Sequence, residues 1–313
     1  MMDIYKSGPQ GLEKLETIEE GSWINLISPT LEEIRHVSQM AGVDQSFISA
    51  ATDEEERSRI EYDEDTNSYL IVIDIPFITE TRNSRTYETL PIGIIYSDKA
   101  IITVCLQESN IIDSFIKGAV KTFFTYKKSR FILLLLYRTA TSYLQYLKQI
   151  DKKSSLIETE LHKSMKNQEL IQLMDLEKSL VYFSTSLKSN EIVLEKLLRL
   201  DLIKKYPEDK ELLEDTIIEN KQAIEMAKIY SDILSGTMDA FASIISNNLN
   251  IVMKLLTSVT IVMAIPTMIS SFYGMNVVNM PLAAHPYAFW LIMGVAAICC
   301  VAAALFMARK KLF

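Results

Sequence analysis

Counting back from Gly274 in steps of three and four gives Ser271, Thr267, Ala264, Thr260, Thr257, Met253, Asn250, Ser246, Ser243 and Asp239. A sustained 3.5-residue spacing puts these positions on one continuous helix face. An ordinary coiled-coil seam would fill them with Leu and Ile. Here nearly all are small or carry a hydroxyl, an amide or a carboxylate. Two chemistries fit. Small residues and hydroxyls let membrane helices pack closely, with hydroxyls bonded to their own backbone. Alternatively, several copies of the helix surround a watery path and the polar face lines it. Asn250 and the scarcity of large apolar residues favour the path. Met253, with neighbouring Leu256, is the exception, and a ring of such side chains at one mouth could close the path by dewetting.

The elements that must position this face are legible nearby. Leu255–Tyr273 and Tyr287–Met307 are uncharged and each close to the ~20 residues a helix needs to cross hydrocarbon. The segment between them, GMNVVNMPLAAHP, is too short for a domain, so the pattern predicts a helical hairpin through a bilayer. Lys254 flanks the first span, and Arg309, Lys310 and Lys311 follow the second. The connecting loop has no Lys or Arg, which places both termini in the cytoplasm and the loop outside. One chain with two spans cannot enclose a path. A pore therefore requires a ring of identical chains, whose number the spacing does not reveal.

The rest of the chain reads as soluble. Among 313 residues, 32 Lys+Arg stand against 40 Asp+Glu, a formal net charge of -8. A pI near 5.1 argues against a nucleic-acid binder. Residues 1–110 read as an α/β domain, with strands at Trp23–Ile27, Tyr69–Ile75, Ile92–Tyr96 and Ala100–Val104 and turns at 63–67 and 97–99. Thr30 and Glu33 form a capping-box pattern. From Gly118 to Gly236 no glycine intervenes and Pro207 is the only proline, so 111–250 read as long packing helices. The apolar run Phe131–Tyr137 is too short to span and reads as buried core. Pro207, after Lys204-Lys205-Tyr206, marks a turn into a helix starting near Glu208. Gly236 is absorbable at ~1 kcal/mol, so that helix is expected to run unbroken into the first span. Glu208, Asp209, Glu211, Glu214, Asp215 and Glu219 are expected to form a solvated face, and the runs Asp53–Glu56 and Glu61–Asp65 solvated loops. Three Cys, two of them adjacent in an apolar run, make no disulfide framework. The N-terminal stretch shows no apolar core of a secretory signal.

The first span ends in Tyr273-Gly274-Met275-Asn276. Here the chain resembles the CorA family of divalent-cation transporters, whose hallmark is Gly-Met-Asn at the outer end of the first of two C-terminal spans. The resemblance covers the whole layout, including Ser246–Thr257, Pro266 within the span and the basic end Arg309-Lys310-Lys311-Leu312-Phe313. It implies an α+β cytoplasmic domain, long stalk helices and two transmembrane helices, assembled as a homopentameric, funnel-shaped Mg2+ channel. The corresponding division is 1–110, 111–250, a pore-lining span at 251–273, an extracellular loop at 274–286, a second span at 287–308 and a cytoplasmic tail at 309–313. The resemblance implies that Gly274, Met275 and Asn276 form the selectivity filter. Asn250, Met253, Leu256, Thr257, Thr260, Thr267 and Ser271 would line the pore. Mg2+ gives up its waters reluctantly. A ring of Asn276 carbonyl oxygens can accept hydrogen bonds from those waters instead of stripping them, while Gly274 permits the turn at the pore mouth. The membrane potential supplies about 4.6 kcal/mol per 100 mV to a divalent cation, twice the single-charge value. Family members close on binding intracellular Mg2+, and Asp239 matches an acidic stalk position in that motif region; its partner would be an acid of a neighbouring N-terminal domain, for which the runs Asp53–Glu56 and Glu61–Asp65 are candidates beside their reading as solvated loops. Mg2+ is thus expected as transported ion and regulatory ligand, with no other cofactor. The loop Val277–Pro286 departs from many relatives in having no Asp or Glu, which leaves Co2+, Ni2+ or Zn2+ as alternatives.

The chain lacks a Gly-rich Lys-Ser/Thr phosphate loop and a G-x-S-x-G elbow, so neither a nucleotide-driven pump nor a hydrolase is expected. His36, His162 and His285 are scattered, without zinc-ligand spacing. A membrane-anchored interaction protein, whose hairpin only tethers it, is the reading from another class.

Overall fold

The chain is described from a computed structural model. It describes all residues except 10, 82–83, 165–166, 201–205, 278–279, 283–284 and 311–313, with the side chains at 80–81, 84–85 and 162–164 also set aside. Lys204, Lys205, the His162 side chain and Lys311-Leu312-Phe313 thus lie outside the described residues. Two units emerge, Met1–Gly236 and Thr237–Phe313.

In the first unit the strands are β1 (Met2–Gly8), β2 (Gly11–Leu15), β3 (Ser22–Ile27), β4 (Arg59–Asp63), β5 (Ser68–Thr81), β6 (Ser84–Tyr96) and β7 (Ala100–Cys105). They form one sheet in the order β2-β1-β3-β7-β6-β5-β4. β3 and β7 run parallel, and the other neighbours are antiparallel. Period-2 alternation sends successive side chains to opposite faces. Leu70 and Val72 join Ile24, Leu26, Ile95 and Ile102 on one face, covered by α1 (Leu31–Ala41) and α2 (Gln45–Ala50) through Ile34, Val37, Phe47 and Ile48. Ile71, Ile73 and Ile75 join Trp23, Ile92 and Ile94 on the other. That face is covered by α3 (Asn110–Ile116), α4 (Lys128–Ser164) and α5 (Asn167–Leu197). The run Phe131–Leu136 at the start of α4 is its centrepiece, and Trp23, Phe115, Phe123 and Phe131 pack edge-on or tilted against one another. At Gly93 of β6 an added Cβ would stand 2.6 Å from the Ala51 Cβ, so the close approach of the α2 end requires glycine there.

The four expected strands are present, and β5 and β6 run much further than Ile75 and Ile92 suggested. Their extensions pair Pro76 to Thr81 with Thr89 to Ser84. β1, β2 and β4 were not anticipated. Glu61–Asp63, expected in a solvated loop, are the end of β4, and the turn follows them. Thr30 caps α1 with both reciprocal bonds to Glu33. One acid of the expected solvated face is corrected. Asp209 is only 5% exposed and accepts a hydrogen bond from Arg130 at 2.9 Å, because burial demands a paired charge.

A polar knot ties α5 to the sheet. Asp74 lies two residues past the last β4 partner, Arg59 opposite Val72. Asn190 of α5 serves its backbone, accepting from Asp74 N–H at 2.9 Å and donating to Asp74 C=O at 2.7 Å. Ser58 also donates to Asn190, and the buried Tyr143 hydroxyl donates to Asp74 C=O. Burial raises the Asp74 carboxyl above its ordinary value, and hydrogen bonds from Ser186 and Ser58 oppose the rise.

α6 (Pro207–Tyr273) is a single helix of 67 residues, and α7 (Ala288–Arg309) has 22. Proline at the first position of α6 costs nothing, since its missing N–H would be unpaired anyway. Gly236 is indeed absorbed.

Candidate functional site

The second unit contains the C-terminal part of α6 and α7. Both helices are long and apolar enough to cross a membrane. Within each, the less exposed positions recur at helical spacing. On α6 they are Ser258, Val262, Ile265 and Ile269. On α7 they are Ala288, Ile292, Ala296, Cys300, Ala303, Ala304 and Met307. A contact between the helices joins these stripes, with the Cys300 thiol donating to the Val262 carbonyl at 3.7 Å. Four alanines on the α7 stripe are the small residues that permit close approach of membrane helices.

The polar face singled out from the sequence is elsewhere on α6. Asp239, Ser243, Ser246, Asn250, Met253, Thr257, Thr260, Ala264, Thr267 and Ser271 are all exposed in the isolated chain, as is Leu256. At 100° per residue, Thr257, Thr260, Ala264 and Thr267 lie roughly 110–170° around the helix from the Ser258–Ile269 stripe. The second apolar helix therefore leaves them uncovered.

Two hydroxyls on this face have a defined polarity. Thr260 donates to the Leu256 carbonyl at 2.8 Å and Thr267 to the Met263 carbonyl at 3.1 Å. Each proton is committed to the helix backbone. What the oxygen presents outward is lone pairs, an acceptor surface suited to a cation or to water bound to one. Such backbone bonds fit either reading of the face, close packing or a wet path.

Gly274 follows directly on α6. Its N–H donates to the Ser270 and Ser271 carbonyls at 2.9 and 3.2 Å, and Met275 N–H donates to Phe272 C=O. Its φ is not positive, so the turn does not need glycine for a left-handed conformation. A Cβ there would instead come within 3.3 Å of the Ser270 oxygen, tighter than side chains usually tolerate. Met275 and Asn276 are exposed just beyond the helix end. Asn276 thus leaves the helix with its amide unshielded by its own chain. His285 is exposed in the loop. Among the described residues no group of three or more His, Cys, Asp or Glu is gathered to hold a metal ion, and Asp239 stands exposed on α6.

An α/β unit whose last helix continues into one of two C-terminal helices long and apolar enough to cross a membrane defines a class: a membrane protein with a large folded domain ahead of its apolar helices. The particular family is also identified. The family described as CorA-like Mg2+ transporter protein matches residues 19–310, and the chain belongs to it. The cobalt/magnesium transport protein CorA of Methanocaldococcus jannaschii is 31% identical over 280 residues, covering 87% of this chain and 84% of its own. The magnesium transport protein CorA of Helicobacter pylori is 25% identical, covering 94% and 92%. The complete structure of the M. jannaschii CorA magnesium transporter matches all of this chain and 99% of its own, with a TM-score of 0.84 and 27% identity.

Proposed function

We propose that this chain is a Mg2+ channel in which identical copies bring the Asp239–Gly274 face of α6 around a common wet axis, five copies completing the ring. The observation that carries this reading is the continuous polar face of α6, exposed and left uncovered by α7, on which Thr260 and Thr267 turn oxygen lone pairs outward. Such oxygens offer the outer surface of a hydrated divalent ion what it seeks, namely acceptors for the protons of its tightly held waters. Rings from Asn250, Thr257, Thr260, Thr267 and Ser271 would carry the ion along the axis. Met253 and Leu256 would form the apolar constriction.

Gly274, Met275 and Asn276 form the filter at the outer mouth in this reading. Asn276 supplies carbonyl oxygens, Met275 holds the turn, and Gly274 lets the chain leave the helix against the Ser270 carbonyl. The segment 251–273 is then the first span, 274–286 the outside loop, 287–308 the second span and 309–313 the tail. Residues 1–110 and 111–250 stand in the cytoplasm of a cell-membrane protein. The potential, negative inside, drives the ion inward without nucleotide hydrolysis.

The test is flux into liposomes holding the full-length protein, with Mg2+, Co2+, Ni2+ and Zn2+ offered separately. Mg2+ should enter, and Asn276→Ala should abolish entry while the oligomer survives. Undiminished Mg2+ uptake by Asn276→Ala would remove the filter assignment. Entry of Zn2+, Co2+ or Ni2+ but not Mg2+ would redirect the reading within the family. Asp239 carries the gating reading, in which internal Mg2+ joins acids of neighbouring chains and holds the pore shut. Asp239→Ala should shift closure to higher internal Mg2+, and an unaltered inhibition curve would clear Asp239 of that role.

A further inference from the structure

Pro266 lies inside α6, seven residues before the helix ends at Tyr273. Proline has no N–H, so the carbonyl four residues earlier loses its usual helical donor, and the ring presses against that same carbonyl. The carbonyl belongs to Val262. In hydrocarbon no water can serve it, and an unserved backbone carbonyl is costly. The Cys300 thiol of α7 donates to this oxygen at 3.7 Å. Cys300 sits half-buried on the α7 stripe, whereas its neighbour Cys299 is exposed. The match between the proline-freed carbonyl and the inward cysteine is therefore specific to one of two adjacent thiols.

We propose that Cys300 is a positioning residue that ties α7 to the carbonyl of α6 that Pro266 leaves without its helical donor. The tie fixes the short segment 267–273 relative to the helix below, and with it the placement of Gly274, Met275 and Asn276. A thiol suits this place. It is a weak donor on a small, polarizable group, able to serve a carbonyl without the desolvation cost of a stronger polar side chain.

The consequence for transport rests on the channel reading, but the bond itself does not, so two measurements separate them. First, infrared spectra of the full-length protein in lipid are recorded with Cys105→Ala and Cys299→Ala, leaving the Cys300 thiol alone. Its S–H stretching band should lie below that of a free thiol in hydrocarbon. Pro266→Ala returns an N–H to Val262 and should move the band back toward the free position. A band at the free position, or one indifferent to Pro266→Ala, would overturn the proposal whether or not the protein carries Mg2+. Second, Mg2+ uptake is measured in a double-mutant cycle. Cys300→Val, close in volume but without a donor, should change the uptake rate several-fold, and Cys300→Ser should retain it. In a Pro266→Ala background, Cys300→Val should have little effect. Equal effects of Val and Ser, or equal effects of Val in both backgrounds, would refute the positioning role. If Cys300→Val does not assemble, the infrared result decides. A shifted band in a protein that moves no Mg2+ would keep the tie and sink the channel.

Discussion

One helix, α6, passes through two different regimes. In its first part, Leu213, Thr216, Asn220, Ala223 and Ala227 are at most 2% exposed, and Asn220 donates to the Leu187 carbonyl of α5. From Asn250 to Asn276 almost every side chain is exposed, apart from the stripe around Ser258 and Val262. The first part has found its partners within its own chain. The second must find them in lipid and in other copies. An exposed Leu or Ile needs only hydrocarbon, but an exposed run of Asn, Thr and Ser on the same helix does not belong there. The difference between the two parts is thus itself an argument for a shared polar axis.

The sharpest way to test this contrast is to truncate one large side chain in each region. Trp23 is fully buried, packs on Phe123 and Phe131, and donates to Thr103 at 2.8 Å. Trp23→Ala should cost about 3–5 kcal/mol, seen as a large fall in the unfolding temperature of the full-length protein by circular dichroism. Ile298 on α7 is 70% exposed. Ile298→Ala should leave that temperature and the oligomer unchanged, because lipid replaces what was removed. A loss at Ile298 comparable to that at Trp23 would mean that this side of α7 is covered by another protein surface.

A smaller effect is expected at the polar knot. Asn190→Ala removes the side-chain partner of the Asp74 N–H and one of two side-chain donors to its carbonyl, which keeps Tyr143, and should cost about 1–3 kcal/mol. The Asp74 carboxyl is raised above its ordinary value, chiefly by burial. The folded protein therefore holds this proton more tightly than the unfolded chain. Stability contributed by the protonated form is lost as pH rises from the ordinary carboxylate range through the raised value. Asp74→Asn should flatten this part of the pH profile in thermal unfolding, and an unchanged profile would show that the carboxyl is solvated.

The regularity of the contrast explains what the sequence could reveal. Helix periods survive over long windows, so α4, the unbroken α6 and the Thr257–Ser271 face were legible without coordinates. Short pairings are not legible in the same way. β1 (MDIYKSG) and β2 (GLEKL) carry too few apolar residues to read as strands, and only their pairing with each other and with β3 makes them so. β5 and β6 outran expectation because Pro76 and Pro91 look like breakers, yet their registered partners are Thr89 and Asp74 within a long two-stranded ribbon. Asp209 was misplaced for another reason: its partner, Arg130, is distant in the chain, and no local pattern announces an ion pair across such a separation.

The smallest stability effect should accompany a clear functional one. Thr260 and Thr267 each spend their hydroxyl proton on a carbonyl of the same helix that already has helical partners. Replacing either by Val keeps the shape and removes an interaction that adds little to a helix. Unfolding temperature and assembly should therefore stay as they are. If the face lines a wet path, Thr260→Val together with Thr267→Val removes two rings of outward lone pairs and should slow Mg2+ entry into liposomes. If the face merely packs against other helices, Val fits as well as Thr and entry is unchanged. Fold stability cannot separate these cases, because the hydroxyl serves its own backbone in both. Only flux reads the side of the oxygen that points away from the helix.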